Sequence, residues 1–369
     1  MVLIKNSYKK RNYYFLVSFS SVIIMIATLF GCESETGPLL YNYGWDRLES
    51  GASLNLNDVT FSDSLNGWIC GDYGTLLHSN DGGSSWLIQS LPDTANLIKI
   101  AFPEPEIGFV MSENNFYKTI DAGVSWNPVI VDESIGGPSD FQFINKNKGW
   151  LSGMKLFTTE DGGNSWKDIT PDTEGLIFIR IIFSFSNDLS GYAVVNVFDT
   201  VSEREGTFNL FYHSSDGGIN WQKNNMDSSR LFYNSFYYSK IITLTNHNCF
   251  MYNYWYTGRI YRSTDLGTSW SEIATGAYSS LFHFNLVSNI FNLDEKNIYI
   301  TSFTSTNTDR KVSYISHSSD GGLSFTAYQT GIYGKVNSGY YKNKSQGWLV
   351  GDKGLILRTT NGGVTYYDK

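Results

Sequence analysis

The sequence predicts an all-β chain of seven repeated units, and two observations lead to this prediction. The first is a motif, Ser/Thr-x-Asp-x-Gly-x-Ser/Thr-Trp, that begins at Ser79 and recurs through the 369 residues. Its third position falls at residues 81, 121, 161, 216, 265, 320 and 361, in steps of 40, 40, 55, 49, 55 and 41. A period of about 40 to 50 residues is that of one propeller blade or one solenoid unit. The second observation is a set of short, glycine-bounded, alternating segments between the motifs, which are typical of strands.

Each copy of the motif predicts a β-hairpin turn followed by a large buried ring. Asp, Ser and Thr side chains bond to nearby backbone and favour turns, and glycine supplies the positive φ that closes them. The last position begins an outgoing strand, and we expect its ring to be largely buried. That ring belongs to Trp86, Trp126, Trp166, Trp221 and Trp270 in five copies, and to Phe325 and Tyr366 in the last two.

The residues between two motifs predict three more strands, which makes four in each unit. In the first unit these are strand a at 56–61, strand b at 67–71 (Gly-Trp-Ile-Cys-Gly) and strand c just before the motif. Strand d begins at the motif's tryptophan. The segment 45–50 resembles an isolated strand d, and we expect it to pad the outer edge of the last unit. An unpaired edge there would be a liability.

The motif is the Asp-box, or BNR repeat, of sialidases, sortilin-type receptors, xyloglucanases and photosystem II assembly factors. The fuller pattern in residues 347–366, Gly-Trp-x-x-Gly followed by the box, most resembles the photosystem II stability and assembly factor branch. The resemblance implies a seven-bladed β-propeller of four-stranded antiparallel blades, in agreement with the count. It also implies a structural role for the third box residues, which are Asp81, Asp121, Asp161, Asp216, Asp265, Asp320 and Asn361.

The first residues predict a targeting segment that is not part of the fold. A basic start and an apolar stretch over 13–30 lead to Leu29-Phe30-Gly31-Cys32, which resembles a bacterial lipobox with Cys32 as the lipidated residue. An uncleaved transmembrane anchor is the alternative, since the stretch is long enough. We expect a signal peptide at 1–31, a tether at 32–44 and the propeller at 45–369. The expected location is the bacterial cell envelope, facing the periplasm or the surface, with the outer membrane favoured.

The net charge limits the kinds of partner that the chain can bind, and the cysteine positions predict whether a disulfide forms. Without residues 1–31 the chain keeps 23 basic and 35 acidic residues, a formal net charge of −12. That charge disfavours nucleic acid and anionic membranes, which need basic patches. Cys70 and Cys249 fall in units 1 and 5, which are not neighbours in a ring of seven, so we expect no disulfide. We expect a monomer.

Enzymatic chemistry finds little support in the residues. A sialidase needs an arginine triad and an Arg-Ile-Pro signature, and the closest string, at 178–181, lacks the proline. A xyloglucanase-like site needs two propellers that face each other, and one is present. We therefore predict no catalytic residues and no enzyme. A glycan-binding or glycoside-hydrolase propeller stays open as the alternative, and an acidic pair across the central opening with aromatic subsites would favour it.

The sequence also predicts no metal site and no cofactor. Three of the five histidines, His78, His213 and His317, occupy one repeat position, just before the box. Equivalent positions lie one to a blade, so they cannot converge on one ion. We expect these side chains to cap a neighbouring strand or to stack on an aromatic ring.

The predicted binding surface lies on the face opposite the boxes, where the b–c turns of units 4, 5 and 6 are longest. Long loops on a rigid scaffold are where function concentrates, and aromatic tips resemble binding hot spots. The alternative is that these loops vary without a function, or that their tyrosines fill the core. The predicted residues are Glu203, Arg204, Tyr254, Trp255, Tyr256, Arg259, Asp309 and Arg310. We predict a non-catalytic scaffold that binds a protein partner, or alternatively a glycan.

Overall fold

The described residues form a ring of seven four-stranded antiparallel sheets. The computed structural model describes residues 44–89, 91, 94–199, 206–224, 239–245, 247–253, 260–273, 285–304 and 312–363. Innermost strands of successive sheets contact one another, and the innermost strand of the first sheet contacts those of the second and the seventh. The chain is therefore a seven-bladed β-propeller with almost no helix in its described part, which confirms the predicted fold.

The strands follow one another from the inside of each blade to its outer edge. A short first strand, β1 (Asp46–Leu48), precedes blade 1. Blades 1 to 3 are β2 (Leu56–Phe61), β3 (Gly67–Gly71), β4 (Leu76–Ser79), β5 (Leu87–Gln89); β6 (Leu97–Glu104), β7 (Ile107–Ser112), β8 (Phe116–Thr119), β9 (Asn127–Pro128); and β10 (Asp140–Phe143), β11 (Gly149–Ser152), β12 (Leu156–Thr159), β13 (Lys167–Asp168).

Blades 4 to 7 repeat this order. They are β14 (Ile177–Phe185), β15 (Gly191–Asp199), β16 (Gly206–Ser214), β17 (Gln222–Asn224); β18 (Ser239–Thr243), β19 (Cys249–Asn253), β20 (Ile260–Ser263), β21 (Ser271–Ile273); β22 (Asn285–Asn292), β23 (Ile298–Thr304), β24 (Val312–Ser318), β25 (Thr326–Tyr333); and β26 (Val336–Tyr341), β27 (Gly347–Gly351), β28 (Leu355–Thr359), with β1 as the fourth strand.

The N-terminal strand closes the ring, as predicted. Asp46, Arg47 and Leu48 of β1 lie opposite Arg358, Leu357 and Ile356 of β28. Trp45, just before β1, is 9% exposed and stands edge-on to Tyr341 with ring centroids 6.3 Å apart.

Trp45 takes the place of a box tryptophan in blade 7. The blade 3 tryptophan, Trp166, has the same relation to Phe143, edge-on at 6.3 Å, and both Phe143 and Tyr341 end strand a of their blade. Trp45 also lies on the last box, since a Cβ on Gly363 would come within 2.6 Å of its ring. A ring from before the first strand therefore packs on the last box, and Tyr366, the predicted ring of that box, lies outside the described residues.

The boxes form the predicted turns, and their glycines explain how neighbouring blades approach. In blade 2 the Thr119 hydroxyl accepts a hydrogen bond from the Gly123 N–H at 2.9 Å, which folds the turn back on itself. Gly123 has a φ of +81°, and a Cβ there would lie 2.3 Å from the Trp68 ring of blade 1. Glycine is needed for its conformation and for the contact with the preceding blade.

Aromatic rings fill the space between blades. The Trp68 ring stacks on Phe102 with centroids 5.4 Å apart and stands edge-on to Trp126 with centroids 6.1 Å apart. Such ring pairs stabilise the contact beyond what burial of their area gives. The predicted burial of the box tryptophans is right for Trp86 and Trp126, and the other three, Trp166, Trp221 and Trp270, are half-buried and pack on the cores of their blades.

Two further predictions meet the structure here. Cys70 and Cys249 are both buried and unbridged, as expected. Across the described ranges, no helix has the length and apolar character needed to cross a membrane. The predicted signal peptide at 1–31 and most of the tether lie outside the described residues, so those boundaries stay predictions.

Candidate functional site

The residues of the predicted binding surface lie outside the described residues. This applies to all eight, Glu203, Arg204, Tyr254, Trp255, Tyr256, Arg259, Asp309 and Arg310, and to Cys32. The strands that flank them are described. β15, β19 and β23 each end, and β16, β20 and β24 each begin, at the face opposite the boxes. Recognition by these residues stays a prediction.

A cavity of about 310 Å³, lined mostly by polar and charged residues, lies at the centre of the ring. All seven blades contribute to it, mainly through their innermost strands, and we call it the central cavity. Several lining residues pair with the last residues of strand b, which lead into the b–c turns: Asp58 with Cys70, Lys99 with Met111, and Lys240 with Tyr252. The central cavity therefore opens toward the face opposite the boxes. Its lining is Asn57, Asp58, Ile98, Lys99, Met111, Ser139, Asp140, Arg180, Ile182, Lys240, Tyr252, Ser288, Asn289 and Asn337.

Five charged side chains from blades 1 to 5 line this cavity: Asp58, Lys99, Asp140, Arg180 and Lys240. The Lys99 ammonium bonds the Asp140 carboxylate at 2.6 Å and the Phe141 carbonyl at 2.7 Å, which ties blade 2 to blade 3. Three cations and two carboxylates give the cavity a formal excess of one positive charge, on a ring that is acidic as a whole.

A chain of hydrogen bonds continues around the cavity through the other blades. The Lys240 ammonium donates to the Asn289 carbonyl oxygen at 3.2 Å, and the Asn289 amide donates to the Ser338 hydroxyl at 3.0 Å. The Ser338 hydroxyl in turn donates to Asp58 at 2.7 Å, and the Ile100 N–H donates to the other Asp58 oxygen at 3.1 Å. These bonds join blades 5, 6, 7, 1 and 2.

The environment of the cavity shifts the pKa values of its charged groups in different directions. Burial raises the pKa of Asp58, although the Ser338 and Ile100 bonds and the nearby lysines offset part of the effect. Burial also acts on Asp140, but the Lys99 and Lys240 cations outweigh it and hold the pKa of Asp140 below its usual value. Burial lowers the pKa of Lys240. Both carboxylates of the cavity are bonded to neighbouring strands.

The box carboxylates are occupied within their own turns. In blade 3 the Asp161 carboxylate accepts bonds from Thr159 Oγ1 at 2.8 Å, from the Ser165 N–H at 2.9 Å and from Ser165 Oγ at 2.6 Å. Such bonds lower the pKa of Asp81, Asp121 and Asp161 to about 2. In the part of the chain that the structure describes, no group of three His, Cys, Asp or Glu side chains is arranged to hold a metal ion.

The basic residue just before the box lies on an aromatic ring in blades 1, 5 and 6, as expected. His78 lies on Trp68 with centroids 4.1 Å apart, and His317 lies on Tyr299 at 4.6 Å. In blade 5 the equivalent Arg262 lies over Phe250 at 6.0 Å. Burial lowers the pKa of both histidines, which favours neutral rings in these stacks. Each of these pairs lies across strands b and c of one blade, so the repeated position stabilises the blade itself.

The central cavity was not predicted from the sequence, although one feature of the strand sequences indicates it. Asp58, Lys99, Asp140 and Lys240 are charged residues in innermost strands. They pair with the residues three after Gly67, Gly108, Gly149 and Cys249 of strand b. A charged residue at the same register in four blades of a ring must face the axis. The register becomes visible only after the ring has closed.

The chain matches known proteins over most of its length. A family model described as photosynthesis system II assembly factor YCF48 matches residues 41–117 and 121–338. The chain is 27% identical over 168 residues to photosystem II assembly lipoprotein Ycf48 of Synechococcus sp. (strain CC9902), a match that covers 44% of this chain and 50% of that protein. It is 20% identical over 342 residues to photosystem II stability/assembly factor HCF136 of Oryza sativa subsp. japonica, over 87% of this chain and 73% of that protein.

A solved structure shares the fold. The structure described as "YCF48 bound to D1 peptide" superposes with a TM-score of 0.62 at 18% identity, over 88% of this chain and 99% of that one. At this identity the likeness concerns the fold alone, and the first curated relative is matched over only about half of its length. The family model covers well over half of this chain, and the chain therefore belongs to the family described as photosynthesis system II assembly factor YCF48.

Proposed function

We propose that the chain is a non-catalytic scaffold that binds a polypeptide partner during assembly of a membrane protein complex. The observation that carries the proposal is the central cavity, which all seven blades of an assembly-factor propeller build together. A solved relative of the same fold is described as bound to a peptide. We expect the partner of this chain to be a polypeptide as well.

The central cavity has the size and chemistry for part of a peptide. Ligand sites occupy about 300–1,000 Å³, so this cavity of about 310 Å³ accepts one or two side chains or a chain end. Its rim offers ammonium and guanidinium donors from Lys99, Arg180 and Lys240, and amide groups from Asn57 and Asn337. An extended peptide presents carbonyl oxygens and N–H groups that such a mixed rim can bond.

The proposed site also includes the predicted loop residues of blades 4 to 6. They belong to b–c connections, and those connections share the face onto which the central cavity opens. Tyr254, Trp255 and Tyr256 would contribute aromatic contacts beside the charged cavity, the composition of a binding hot spot. The glycan-active alternative would need carboxylates available to substrate, whereas Asp58 and Asp140 are bonded to neighbouring strands. The described residues favour binding over hydrolysis.

Photo-crosslinking in cells tests the site. A photoreactive amino acid replaces Ile98, which lines the central cavity, or Ile120, which lies 66% exposed in the box of the same blade. We expect a discrete polypeptide adduct at position 98 and none at position 120. Lys240→Gln should reduce the adduct, because it removes a cation while the amide can still donate to Asn289. An adduct at position 120 alone, or one at position 98 that Lys240→Gln leaves unchanged, would contradict the proposal.

We further propose that a lipid on Cys32 holds the scaffold at the envelope membrane, with the outer membrane favoured. The lipobox-like sequence supports this, and the matched Synechococcus relative is named a lipoprotein. Cys32→Ala should abolish labelling by an alkyne fatty acid and leave uncleaved precursor. Cys70→Ala is the matched control, since Cys70 is buried in blade 1, and it should keep the label. Labelling that persists in Cys32→Ala would place the anchor elsewhere.

A further inference from the structure

We propose that Lys240 in the central cavity forms an imine with a small carbonyl compound that carries a carboxylate, that is, an aldehydic or 2-oxo acid. This ligand is a small molecule that binds covalently, and it is distinct from the polypeptide partner of the proposed function. Neither of the two requires the other.

Lys240 presents its amine to a cavity that opens at the face opposite the boxes. The residue belongs to β18, the innermost strand of blade 5, and its half-buried side chain lines the central cavity. The lining also includes apolar side chains, among them Met111 and Ile182. Such surroundings disfavour the charged form of an amine.

The Lys240 ammonium is poorly paired. Within the described part of the chain it has one hydrogen-bond acceptor and no ion-pair partner. That acceptor is the Asn289 amide oxygen at 3.2 Å, which also accepts bonds from the Ile290 N–H at 2.9 Å and the Tyr252 hydroxyl at 3.4 Å. A neutral oxygen shared by three donors stabilises an ammonium less than a carboxylate does. The Lys240 amine therefore keeps the capacity to bind a ligand.

Lys99, the other lysine of the cavity, provides a contrast. The Asp140 carboxylate lies 2.6 Å from its ammonium, and the Phe141 carbonyl accepts a second bond at 2.7 Å. Charge-assisted bonds of this length are among the strong ones, and they must break before the nitrogen can attack a ligand. We therefore expect Lys99 to react slowly.

The electrostatics of the cavity favour the neutral, nucleophilic form of Lys240. Burial lowers the pKa of this amine and the Lys99 cation lowers it further, whereas Asp140 and Asp58 oppose both effects. The fifth charged side chain of the lining, Arg180, is another cation. Lysines that attack carbonyl compounds are activated in the same way, by desolvation or by a nearby cation. At neutral pH, Lys240 should therefore have a larger neutral fraction than an exposed lysine.

The reaction needs only the amine, the carbonyl compound and solvent protons. The lone pair of the neutral Lys240 Nζ forms a bond to the carbonyl carbon, and the π electrons of the C=O bond move to its oxygen. A proton passes from the nitrogen to this oxygen through solvent, which gives a carbinolamine. The hydroxyl of the carbinolamine takes a second proton from solvent and leaves as water. The product is a protonated imine, and hydrolysis reverses its formation.

The charge and volume of the central cavity indicate the class of carbonyl compound. Lys99 and Asp140 compensate each other, so Arg180, Lys240 and Asp58 leave one excess positive charge, and a protonated imine keeps the charge of Lys240. A carboxylate on the ligand balances this excess, and a guanidinium such as that of Arg180 binds carboxylates well. A volume of about 310 Å³ is at the lower end of the range for ligand sites, which fits a small acid.

Reductive trapping tests the reactivity of each lysine separately. The purified protein is incubated at pH 7 with glyoxylate and cyanoborohydride, which converts each imine to carboxymethyl-lysine, and peptide mass spectrometry follows every site over time. We expect Lys240 to be modified severalfold faster than Lys99 and than Lys146, which is exposed in an a–b turn of blade 3. Modification of Lys240 at the rate of Lys146, or more slowly, would overturn the proposal.

A second arm tests the carboxylate of the ligand. Acetaldehyde serves as the neutral aldehyde, and each rate at Lys240 is divided by the rate at Lys146 in the same sample. We expect Lys240 to favour glyoxylate over acetaldehyde, and Arg180→Gln to lower this preference severalfold. Arg47→Gln, the same change of charge at an exposed position of β1, should leave it unchanged. A preference that is absent in the parent, or equal in parent and Arg180→Gln, would refute an acid as the ligand.

Discussion

Replacing Trp45 with alanine is expected to lower the free energy of unfolding by about 3–5 kcal/mol, the usual cost of truncating a buried tryptophan. The ring fills the contact between Gly363 and Tyr341 and precedes the strand that completes blade 7. Its loss leaves a cavity where the two ends of the chain meet. The measurement is the denaturant midpoint of the variant against the parent, with the slope checked for a change of cooperativity.

The control is Leu87→Ala in the outer strand of blade 1. Leu87 is 64% exposed and lies beside the box tryptophan of its own blade, so the control keeps the strand and removes little buried area. A small change for Leu87→Ala beside a large one for Trp45→Ala would show that the ring needs the N-terminal tryptophan. Equal midpoints would show that blade 7 is stable without it.

Asp58→Ala is expected to lower the free energy of unfolding by about 2–4 kcal/mol, since each buried donor left without an acceptor costs about 1–3 kcal/mol. The Ser338 hydroxyl and the Ile100 N–H would lose their acceptor together. These two donors belong to blades 7 and 2, on either side of Asp58 in blade 1. The variant therefore weakens two blade contacts at once.

Asp58→Asn separates the loss of acceptors from the loss of charge. It keeps one acceptor oxygen and should cost less than alanine. Burial raises the folded-state pKa of Asp58, so the folded protein holds this proton more tightly than the unfolded chain. Relative to Asp58→Asn, the parent should therefore gain stability as the pH falls through the folded pKa toward 3.8. Thermal melts of both proteins over this range would contradict the assignment if their difference were flat or of opposite sign.

The architecture was predictable because its instructions are local and repeated. A box such as Thr119 to Trp126 carries its own turn chemistry, so a short stretch of sequence predicts a hairpin wherever it occurs. The isolated strand at 45–50 was also recognisable, since Trp45 precedes β1 just as Trp86 precedes β5. Its exact partner needed only the rule that each blade has four strands.

The central cavity was not predictable in the same way, because it depends on contacts between residues far apart in sequence. Lys99 and Asp140 are 41 residues apart and bond at 2.6 Å, and Ser338 reaches Asp58 across 280 residues. In the sequence each appears as one polar residue in a strand that could face either way. The chain's period gives the number of blades, whereas the axis-facing register follows from bulges such as those between Leu56 and Asp58 and between Leu97 and Lys99.

The closure of blade 7 has a consequence for the order in which the chain folds. β1 is the first of the described strands, and its partner β28 is the last. Contacts of such long range are slow to form, because the loop between them must close first. We expect blades 1 to 6 to assemble while the outer edge of the last blade has no partner and Trp45 has no box to cover. A chain at this stage of folding exposes the Trp45 ring and the edge of β28 until the two ends of the ring pair.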